Sequence, residues 1–318
     1  MARVAARTAG LLLTTGLGAI VTILLVRYVQ WRQVNLQDSD AHRHRDTGGD
    51  SLCPRKVYEV GKTLLDASKS DAILSETQIM SLAKRTPLPQ QVSSLQFLFQ
   101  APWGAIVVWD STKDLILNSN FLSQPASFTV GVVVTAIGKY IQFLEDFLLS
   151  ADKYFLAGER LTYIIFTDHV DEVQDMKLDH PKIIFEEENM GWPYNALMLY
   201  GFINKHSEAL MKFDFLYVFD VDIVFESEVG REILGMRVGT IHPGFFTKPR
   251  TMFTYDENPK STAFVNKTVE GVYYFAGALF GGCSDEVTNM ASIINKNVHK
   301  DLEIGYIAVW HDESHLNR

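Results

Sequence analysis

The hydrophobic positions along the later part of the chain alternate between strand-like and helix-like patterns. The β-branched run 129–135 predicts a central parallel strand, and residues 161–167 and 182–186 predict two further strands. Apolar residues spaced three and four apart over 137–151 and 194–211 predict helices. Strands that alternate with helices form a parallel α/β sheet, whose ligands bind at the carboxyl ends of the strands.

A further apolar run, residues 213–225, predicts a strand that ends in two carboxylates. Asp220 and Asp222 are separated by one residue, so their side chains leave the strand on the same side. Such a pair suits a divalent cation that carries a diphosphate. Two acids at a strand end also occur without a ligand. The pattern around Val221 fits the nucleophile loop of dehalogenase-type phosphatases as well, although that loop normally opens its domain.

A second group of chemically active side chains lies near the end of the sequence. Residues 310–316 combine one tryptophan, two histidines and two carboxylates. Carboxylates serve as nucleophiles or bases in sugar chemistry, imidazoles hydrogen-bond hydroxyl groups, and indoles stack on sugar faces. The same run also reads as the start of a polar helix, with Asp312 or Ser314 as its N-cap. One run can serve both purposes.

The first hundred residues lack the strand–helix alternation. Residues 9–26 are uncharged and mostly apolar, which predicts a signal-anchor transmembrane helix near the lower length limit. Residues 1–8 are then a cytosolic tail, and residues 27–100 a luminal stem with a short helix near 57–70. Arginines stand on both sides of the apolar run, so their charge alone does not set the orientation.

Composition narrows the class of protein. The 318 residues are 47% hydrophobic, which is sufficient for a large core, and 29 basic against 38 acidic residues argue against a nucleic-acid partner. Cys53 and Cys283 are the two cysteines, so no cysteine–histidine zinc spacing exists, and an oxidising compartment would allow a bond between them. Asn266 begins an N-glycosylation sequon that chance explains equally well.

Ordered motifs over about 102–318 resemble glycosyltransferase family 6, which contains the histo-blood group A and B transferases, the α-1,3-galactosyltransferase and the Forssman glycolipid synthase. The motifs are Ala136-Ile137-Gly138-Lys139-Tyr140, Phe219-Asp220-Val221-Asp222, the heptapeptide 239–245, Phe280-Gly281-Gly282, and residues 310–317. The resemblance implies an α/β fold of the GT-A type over 101–318, Rossmann-like and nucleotide-sugar-binding. It also implies a single-pass type II protein of the Golgi membrane, with a luminal catalytic domain.

The activity that the resemblance implies is a retaining α-1,3 transfer of a hexose. Galactose or N-acetylgalactosamine would move from a UDP-sugar to a galactose-terminated acceptor on a glycolipid or glycoprotein. Mn²⁺ would be held by Asp220 and Asp222 through the UDP phosphates. Glu313 is the expected catalytic residue, because a carboxylate beneath the reacting carbon stabilises or traps its positive charge.

The other expected site residues are carried over position by position. Uridine is expected to pack against Ala136, Ile137 and Tyr140, and the donor sugar to contact Asp312. The acceptor is expected to contact His242, Thr254, Trp310 and Glu313. The segment Ala276-Gly277-Ala278 aligns with the one that selects the donor, and its small side chains favour UDP-N-acetylgalactosamine. Core packing is the alternative role for Ala136, Ile137, Tyr140, His242 and Trp310.

Two departures from the family pattern bear on activity. Leu199 stands where most members carry an arginine that contacts the donor, and a charge-assisted contact of that kind contributes about 1.5–3 kcal/mol. Family members also continue beyond the position of Asn317, so the sequence is expected to be truncated at its C-terminus relative to them. The alternative to an active transferase is a catalytically impaired relative that binds a sugar or nucleotide.

Overall fold

The structure is a computed structural model that describes residues 24–26, 97–100, 106–109, 128–245, 248–271 and 273–318. Its strands are β1 Leu24–Val26, β2 Phe97–Gln100, β3 Ile106–Trp109, β4 Thr129–Ala136, β5 Arg160–Thr167, β6 Lys182–Glu186, β7 Phe215–Phe219, β8 Arg237–Ile241 and β9 Phe275–Cys283. Its helices are α1 Leu144–Tyr154, α2 Val170–Asp175, α3 Tyr194–Leu197, α4 Leu199–Lys205, α5 Ser207–Leu210, α6 Ser284–Glu303 and α7 His311–Leu316. Short 3-10 helices span Gly138–Phe143, Arg231–Ile233 and Arg250–Met252.

The nine described strands form one mixed sheet in the order β2-β3-β1-β8-β9-β7-β4-β5-β6. Strands β7, β4, β5 and β6 are parallel neighbours, which confirms that part of the prediction. The expectation of a wholly parallel sheet is wrong, because β9 runs antiparallel to both β7 and β8. The result is a Rossmann-like α/β core compatible with the GT-A type.

Helices cover both faces of the parallel strands. Phe215, Tyr217 and Phe219 of β7 belong to the core cluster that contains α1, whereas Leu216 and Val218 belong to the cluster that contains α3, α4 and α6. All five residues are buried. A strand buried on both faces carries a continuous apolar run, which is why the sequence predicted these strands well.

Helix α6 follows β9 directly and packs along α4. Its buried residues recur every three or four positions and include Val287, Ala291, Ile294 and Val298. Cys283, at the end of β9, is disulfide-bonded, and the sequence contains one other cysteine, Cys53.

The glycine pair in the Phe280-Gly281-Gly282 motif allows β9 to approach its neighbours closely. A Cβ on Gly281 would lie 2.4 Å from Tyr217 Cδ1 and 2.5 Å from the carbonyl oxygen of Leu216. A Cβ on Gly282, whose φ is +140°, would lie 2.1 Å from the carbonyl oxygen of Met236. Side chains at these positions would collide with backbone, so this motif has a packing role.

Two predicted helices are present in altered form. The first begins as the 3-10 helix Gly138–Phe143 before α1 continues it. The second, predicted as one helix over 194–211, is divided into α3, α4 and α5. Helices α4 and α5 are separated at His206. The His206 ring stacks on the Phe185 ring with centroids 3.8 Å apart, and its Nε2 hydrogen-bonds Glu187 Oε1 at 2.6 Å. Tertiary contacts of this kind override helical spacing.

The predicted membrane anchor, residues 9–26, lies mostly outside the described residues. Its last three residues are β1, which pairs parallel with β3 and antiparallel with β8. Here the structure has a strand where the sequence predicted a helix, and leucine and valine are compatible with both. No helix in the described ranges is long and apolar enough to cross a membrane. The helix expected near 57–70 also lies outside them.

Candidate functional site

The candidate site lies where the carboxyl ends of β4 and β7 meet the amino end of β9. Phe219 of β7 pairs with Leu279 of β9, so the first residues of β9 lie beside the end of β7. Asp220 follows β7 directly, and its backbone N–H donates to the carbonyl oxygen of Ala278 at 2.9 Å. The antiparallel course of β9 thus brings the predicted donor-selecting segment to the predicted metal-binding pair.

Glu313 in α7 binds the same end of β9 through both of its carboxylate oxygens. Oε2 accepts a hydrogen bond from the backbone N–H of Gly277 at 2.9 Å, and Oε1 accepts one from the hydroxyl of Tyr274, also at 2.9 Å. A Cβ on Gly277 would lie 3.4 Å from Asp312 Oδ2 and 3.5 Å from Glu313 Cβ. Both acids therefore face the middle residue of the donor-selecting segment.

Asn317 completes the attachment of α7 to β9. Its Oδ1 accepts from the N–H of Phe275 at 2.8 Å, and its Nδ2 donates to the carbonyl oxygens of Phe275 at 2.8 Å and Glu313 at 2.9 Å. The side-chain amide thus pairs with Phe275 as a neighbouring peptide group would. Tyr274 and Asn317 were not assigned roles from the sequence, because only long-range contacts show what they bind.

The start of α7 differs from the sequence expectation. The helix begins at His311 with Trp310 as its N-cap, so neither Asp312 nor Ser314 caps it. Ser314 instead accepts a hydrogen bond from the backbone N–H of Trp310 at 2.9 Å. His311 has a φ of 52°, a left-handed conformation that costs a non-glycine residue about 1–3 kcal/mol and that clusters at functional sites.

Negative charge is concentrated between β7 and α7. Burial, followed by the charges of Asp220 and Glu313, raises the pKa of Asp312 well above its usual range. Burial, followed by Asp312, Glu313 and Asp220, likewise raises the pKa of Tyr200. Each effect requires the groups to lie near one another, so Asp220, Asp312 and Glu313 form one acidic cluster.

A divalent cation fits this arrangement of oxygen atoms. Asp220 is exposed and Asp222 is half-buried, at the edge of the sheet where ligands bind. Within the part of the chain that the structure describes, no three His, Cys, Asp or Glu side chains are arranged to hold a metal ion together. Magnesium-like ions in nucleotide sites are held by one or two carboxylates, with phosphate oxygens completing the shell. The predicted pair meets that requirement.

The three residues expected around uridine lie on the neighbouring strand. Ala136 is the last residue of β4 and Ile137 follows it, and they are 0% and 2% exposed; Tyr140 is half-buried in the 3-10 helix that follows. Since β4 is parallel to β7, they share its carboxyl edge. The side chain of Ile137 packs in the core, which is the alternative role that the sequence left open.

The expected acceptor residues His242 and Thr254 are linked to Glu313 through Tyr274. The hydroxyl of Thr254 hydrogen-bonds the hydroxyl of Tyr274, which itself donates to Glu313. The ring of His242 lies edge-on to that of Tyr274, with centroids 5.9 Å apart. His242 is half-buried and its Nδ1 accepts from the N–H of Gly244, so the side chain is not part of the closed core.

Exposed aromatic rings border the site. Trp310 is 42% exposed and Trp192 is 62% exposed, and the Trp192 indole meets the His311 ring edge-on at 4.9 Å. Trp310 is therefore not a core residue, and exposed indoles of this kind suit stacking on sugars. Asn266 of the sequon is also exposed, and its Oδ1 accepts from the hydroxyl of Thr268 at 2.6 Å.

A buried polar network holds the opposite side of α7. Asp301 accepts hydrogen bonds from the hydroxyl of Ser261 at 2.6 Å and the N–H of Thr262 at 2.7 Å. His315 of α7 is 4% exposed, and its Nε2 lies 3.8 Å from Asp301 Oδ2. Asp256 accepts from the hydroxyl of Tyr306 at 2.9 Å. These contacts fix α7 between the end of α6 and the loop before β9.

Comparison with known proteins agrees with the resemblance. The family model described as Glycosyltransferase family 6 matches residues 51–318. The chain is 35% identical over 223 residues to the chicken (Gallus gallus) Globoside alpha-1,3-N-acetylgalactosaminyltransferase 1, which covers 68% of this chain and 64% of that protein. It is 36% identical over 223 residues to the rat (Rattus norvegicus) Histo-blood group ABO system transferase 1, and the match covers 68% of this chain and 63% of that protein. It is also 36% identical over 228 residues to the human (Homo sapiens) Globoside alpha-1,3-N-acetylgalactosaminyltransferase 1. That match covers 70% of this chain and 65% of that protein.

The match of the family model begins at residue 51, ahead of the first motif recognised in the sequence. The chain spans 64%, 63% and 65% of the lengths of the three relatives. Two of the three are named as N-acetylgalactosaminyltransferases and the third as a histo-blood group transferase.

His315 gives the site a pH dependence that stability measurements can detect. Burial lowers its pKa below 6.5, although Asp301 and Asp256 favour the charged ring. Between the lowered pKa and 6.5 the unfolded chain binds more protons, so stability rises with pH there and is complete above about 6.5. We expect the free energy of unfolding to decrease as the pH is lowered from about 6.5. In the His315→Gln variant this decrease should be less steep, because the titrating imidazole is absent. Urea unfolding at several pH values measures the slope.

The matched control is His299→Gln, which removes an exposed histidine from α6. This variant should keep the slope of the unchanged protein. Equal slopes for all three proteins would show that His315 titrates alike in the folded and unfolded states.

Proposed function

The chain belongs to glycosyltransferase family 6, and we propose that it is an α-1,3-hexosyltransferase that uses a UDP-sugar and retains the configuration of the donor. The acceptor is a galactose-terminated glycan of a glycolipid or glycoprotein. The observation that carries the proposal is the meeting of Asp220, Gly277, Asp312 and Glu313 at one edge of the sheet. This edge provides a metal-binding pair and a fixed carboxylate side by side.

Glu313 is the residue that acts on the reacting sugar carbon. Its two hydrogen bonds, from Gly277 and Tyr274, fix the orientation of the carboxylate. As UDP leaves, the sugar carbon gains positive character, which a fixed carboxylate stabilises electrostatically or by bond formation. Asp312, whose Oδ2 would lie 3.4 Å from a Cβ on Gly277, is placed to hydrogen-bond the donor sugar.

Asp220 and Asp222 would hold Mn²⁺ together with the diphosphate oxygens. The bound ion supplies positive charge that offsets the negative charge of the departing UDP. Ala136, Ile137 and Tyr140 lie at the end of the adjacent strand, where the uridine would extend along the same edge. The donor would then lie across β4 and β7, with its sugar at β9.

Removal of either metal-binding carboxylate should weaken nucleotide binding. We expect Asp220→Asn and Asp222→Asn each to lower the affinity for UDP in the presence of Mn²⁺ by about tenfold or more, because one charged ligand of the ion is lost. Titration calorimetry with UDP and MnCl₂ measures this. The control is Glu226→Gln, which neutralises an exposed acid in the following loop and should bind as before. Undiminished affinity in both aspartate variants would refute the metal assignment.

Transfer itself is tested with purified protein, Mn²⁺ and galactose-ended acceptors, using UDP-galactose and UDP-N-acetylgalactosamine as donors. We expect the higher kcat/KM with UDP-N-acetylgalactosamine, because Ala276 and Ala278 leave room beside the C2 substituent. One methyl group discriminates by about 1–3 kcal/mol, which corresponds to a ratio of about 10–200-fold. The product should show an α-1,3 linkage by NMR.

Glu313→Gln is the matched variant for this assay. It keeps the size of the side chain and removes its charge, so we expect kcat to fall about 100-fold or more while the affinity for UDP is retained. Hydrolysis of phosphate monoesters without sugar transfer would support the phosphatase alternative instead.

A donor-binding relative with impaired transfer is the second candidate, and Leu199 favours it. Leu199 lies in α4, is 9% exposed and packs in the core cluster with Leu197 and Phe202. It brings no positive charge to a site rich in carboxylates. Binding of the UDP-sugar without transfer to any galactose-ended acceptor would identify this function.

For its location, the proposal is a single-pass type II Golgi membrane protein with a luminal catalytic domain. The uncharged run 9–26 supports it, as does the disulfide at Cys283, because luminal compartments are oxidising. For Leu24–Val26, the anchor helix and the observed strand β1 are alternatives. In intact microsomes we expect the C-terminal domain to resist protease until detergent is added. Release of the full chain by alkaline carbonate would refute the anchor.

A further inference from the structure

The sequon Asn266-Lys267-Thr268 is the only one in the sequence, and the proposed sugar transfer does not use it. It lies in the loop between the 3-10 helix Arg250–Met252 and β9. Asn266 and Thr268 are exposed, and the next residue, Val269, is 72% exposed, the highest value for a large apolar side chain in the described ranges. No described part of the fold therefore covers the loop at the sequon.

The sequon forms a hydrogen-bonded turn that uses only the oxygen atom of the Asn266 side chain. The backbone carbonyl oxygen of Asn266 accepts from the N–H of Val269 at 3.0 Å. Its side-chain Oδ1 accepts from the N–H of Thr268 at 3.2 Å and from the hydroxyl of Thr268 at 2.6 Å. The side-chain nitrogen, Nδ2, makes no hydrogen bond to a described residue. A substituent on Nδ2 consequently breaks none of these bonds.

The residues around the sequon hold it at the outside of the folded chain. Val265, directly before Asn266, is 2% exposed and packs in the core cluster that contains Tyr274. On the other side, the guanidinium of Arg250 donates to the carbonyl oxygen of Thr268 at 2.7 Å. The core contact and the backbone contact leave the Asn266 side chain outside, so a bulky group there disturbs neither.

A second observation concerns the compartment in which this part of the chain folds. Cys283, at the end of the strand that follows the sequon loop, is disulfide-bonded. Disulfides persist in oxidising compartments such as the lumen of the endoplasmic reticulum. Attachment of glycans to asparagine is likewise a modification of secreted and luminal chains. The cysteine and the sequon therefore indicate the same environment, independently of residues 9–26.

We propose that Asn266 carries an N-linked glycan. This inference rests on the luminal location in the proposed function. The glycan comes from an oligosaccharide attached to a lipid diphosphate. Nδ2 of Asn266 forms a bond to the first carbon of the reducing-end sugar as the bond from that carbon to the diphosphate oxygen breaks. The lipid diphosphate leaves with the electron pair, and the amide nitrogen gives one proton to a base of the transferring enzyme.

The test expresses the full chain in cultured animal cells and treats it with peptide N-glycosidase. We expect treatment to increase the electrophoretic mobility by the mass of one glycan and to convert the modified asparagine to aspartate, which peptide mass spectrometry locates. Asn266→Gln and Thr268→Val should migrate like the treated protein, because each removes the sequon. Thr268→Ser is the matched variant, since it keeps the hydroxyl and should keep the glycan.

An introduced sequon separates this inference from the location on which it rests. In the Asn266→Gln background, Glu226→Asn together with Glu228→Thr places a new sequon in an exposed loop. A glycan at the new sequon with an unmodified Asn266 in the unchanged protein overturns the inference and leaves the luminal location standing. A chain that is modified at neither position overturns both. A mobility change that persists in Asn266→Gln also overturns the assignment to Asn266.

Discussion

The attachment of Glu313 to the amino end of β9 is the interaction on which the site depends. Helix α7 has six residues, and a helix this short is not stable by itself. It is held by the two bonds of Glu313 to Gly277 and Tyr274 and by the bonds of Asn317 to Phe275. Since α7 also carries Asp312 and follows Trp310, these contacts set the position of every expected sugar-binding residue in this part of the chain.

The same carboxylate thus has a structural and a chemical role, and the two are compatible for a physical reason. A carboxylate offers about four lone-pair positions, and the described bonds to Gly277 and Tyr274 occupy one on each oxygen. The two bonds restrict rotation of the carboxylate. A carboxylate fixed in this way reorganises little when positive charge develops beside it, which is the general basis of electrostatic catalysis.

The sequence predicted the parts of the site that depend on local pattern. Strands β4 and β7 are continuous apolar runs because they are buried on both faces, and Asp220 follows from the end of such a run. Strand β9 was not predicted, because Ala276-Gly277-Ala278 and the pair Gly281-Gly282 have neither the bulk nor the alternation of a typical strand. Its glycines are explained only by the backbone of β7 and β8 beside them.

The division of residues 194–211 into three helices could not be predicted from local pattern either. It depends on contacts of His206 with Phe185 in β6 and with Glu187 in the loop that follows β6. The role of Tyr274 could not be predicted from local pattern either. It is a tyrosine in an apolar setting, and only its long-range contact reveals that its hydroxyl bonds Glu313. Residue type and spacing therefore locate the charged groups of this site. Its neutral hydrogen-bond donors can be recognised only in the folded structure.

The exchange of an arginine for Leu199 changes the charge balance of the site. Burial, followed by the charges of Asp220 and Glu313, raises the pKa of Asp312. With leucine in the core cluster, position 199 contributes no positive charge to offset these acids. The cation proposed at Asp220 and Asp222 would therefore supply the positive charge that neutralises these acids and the diphosphate.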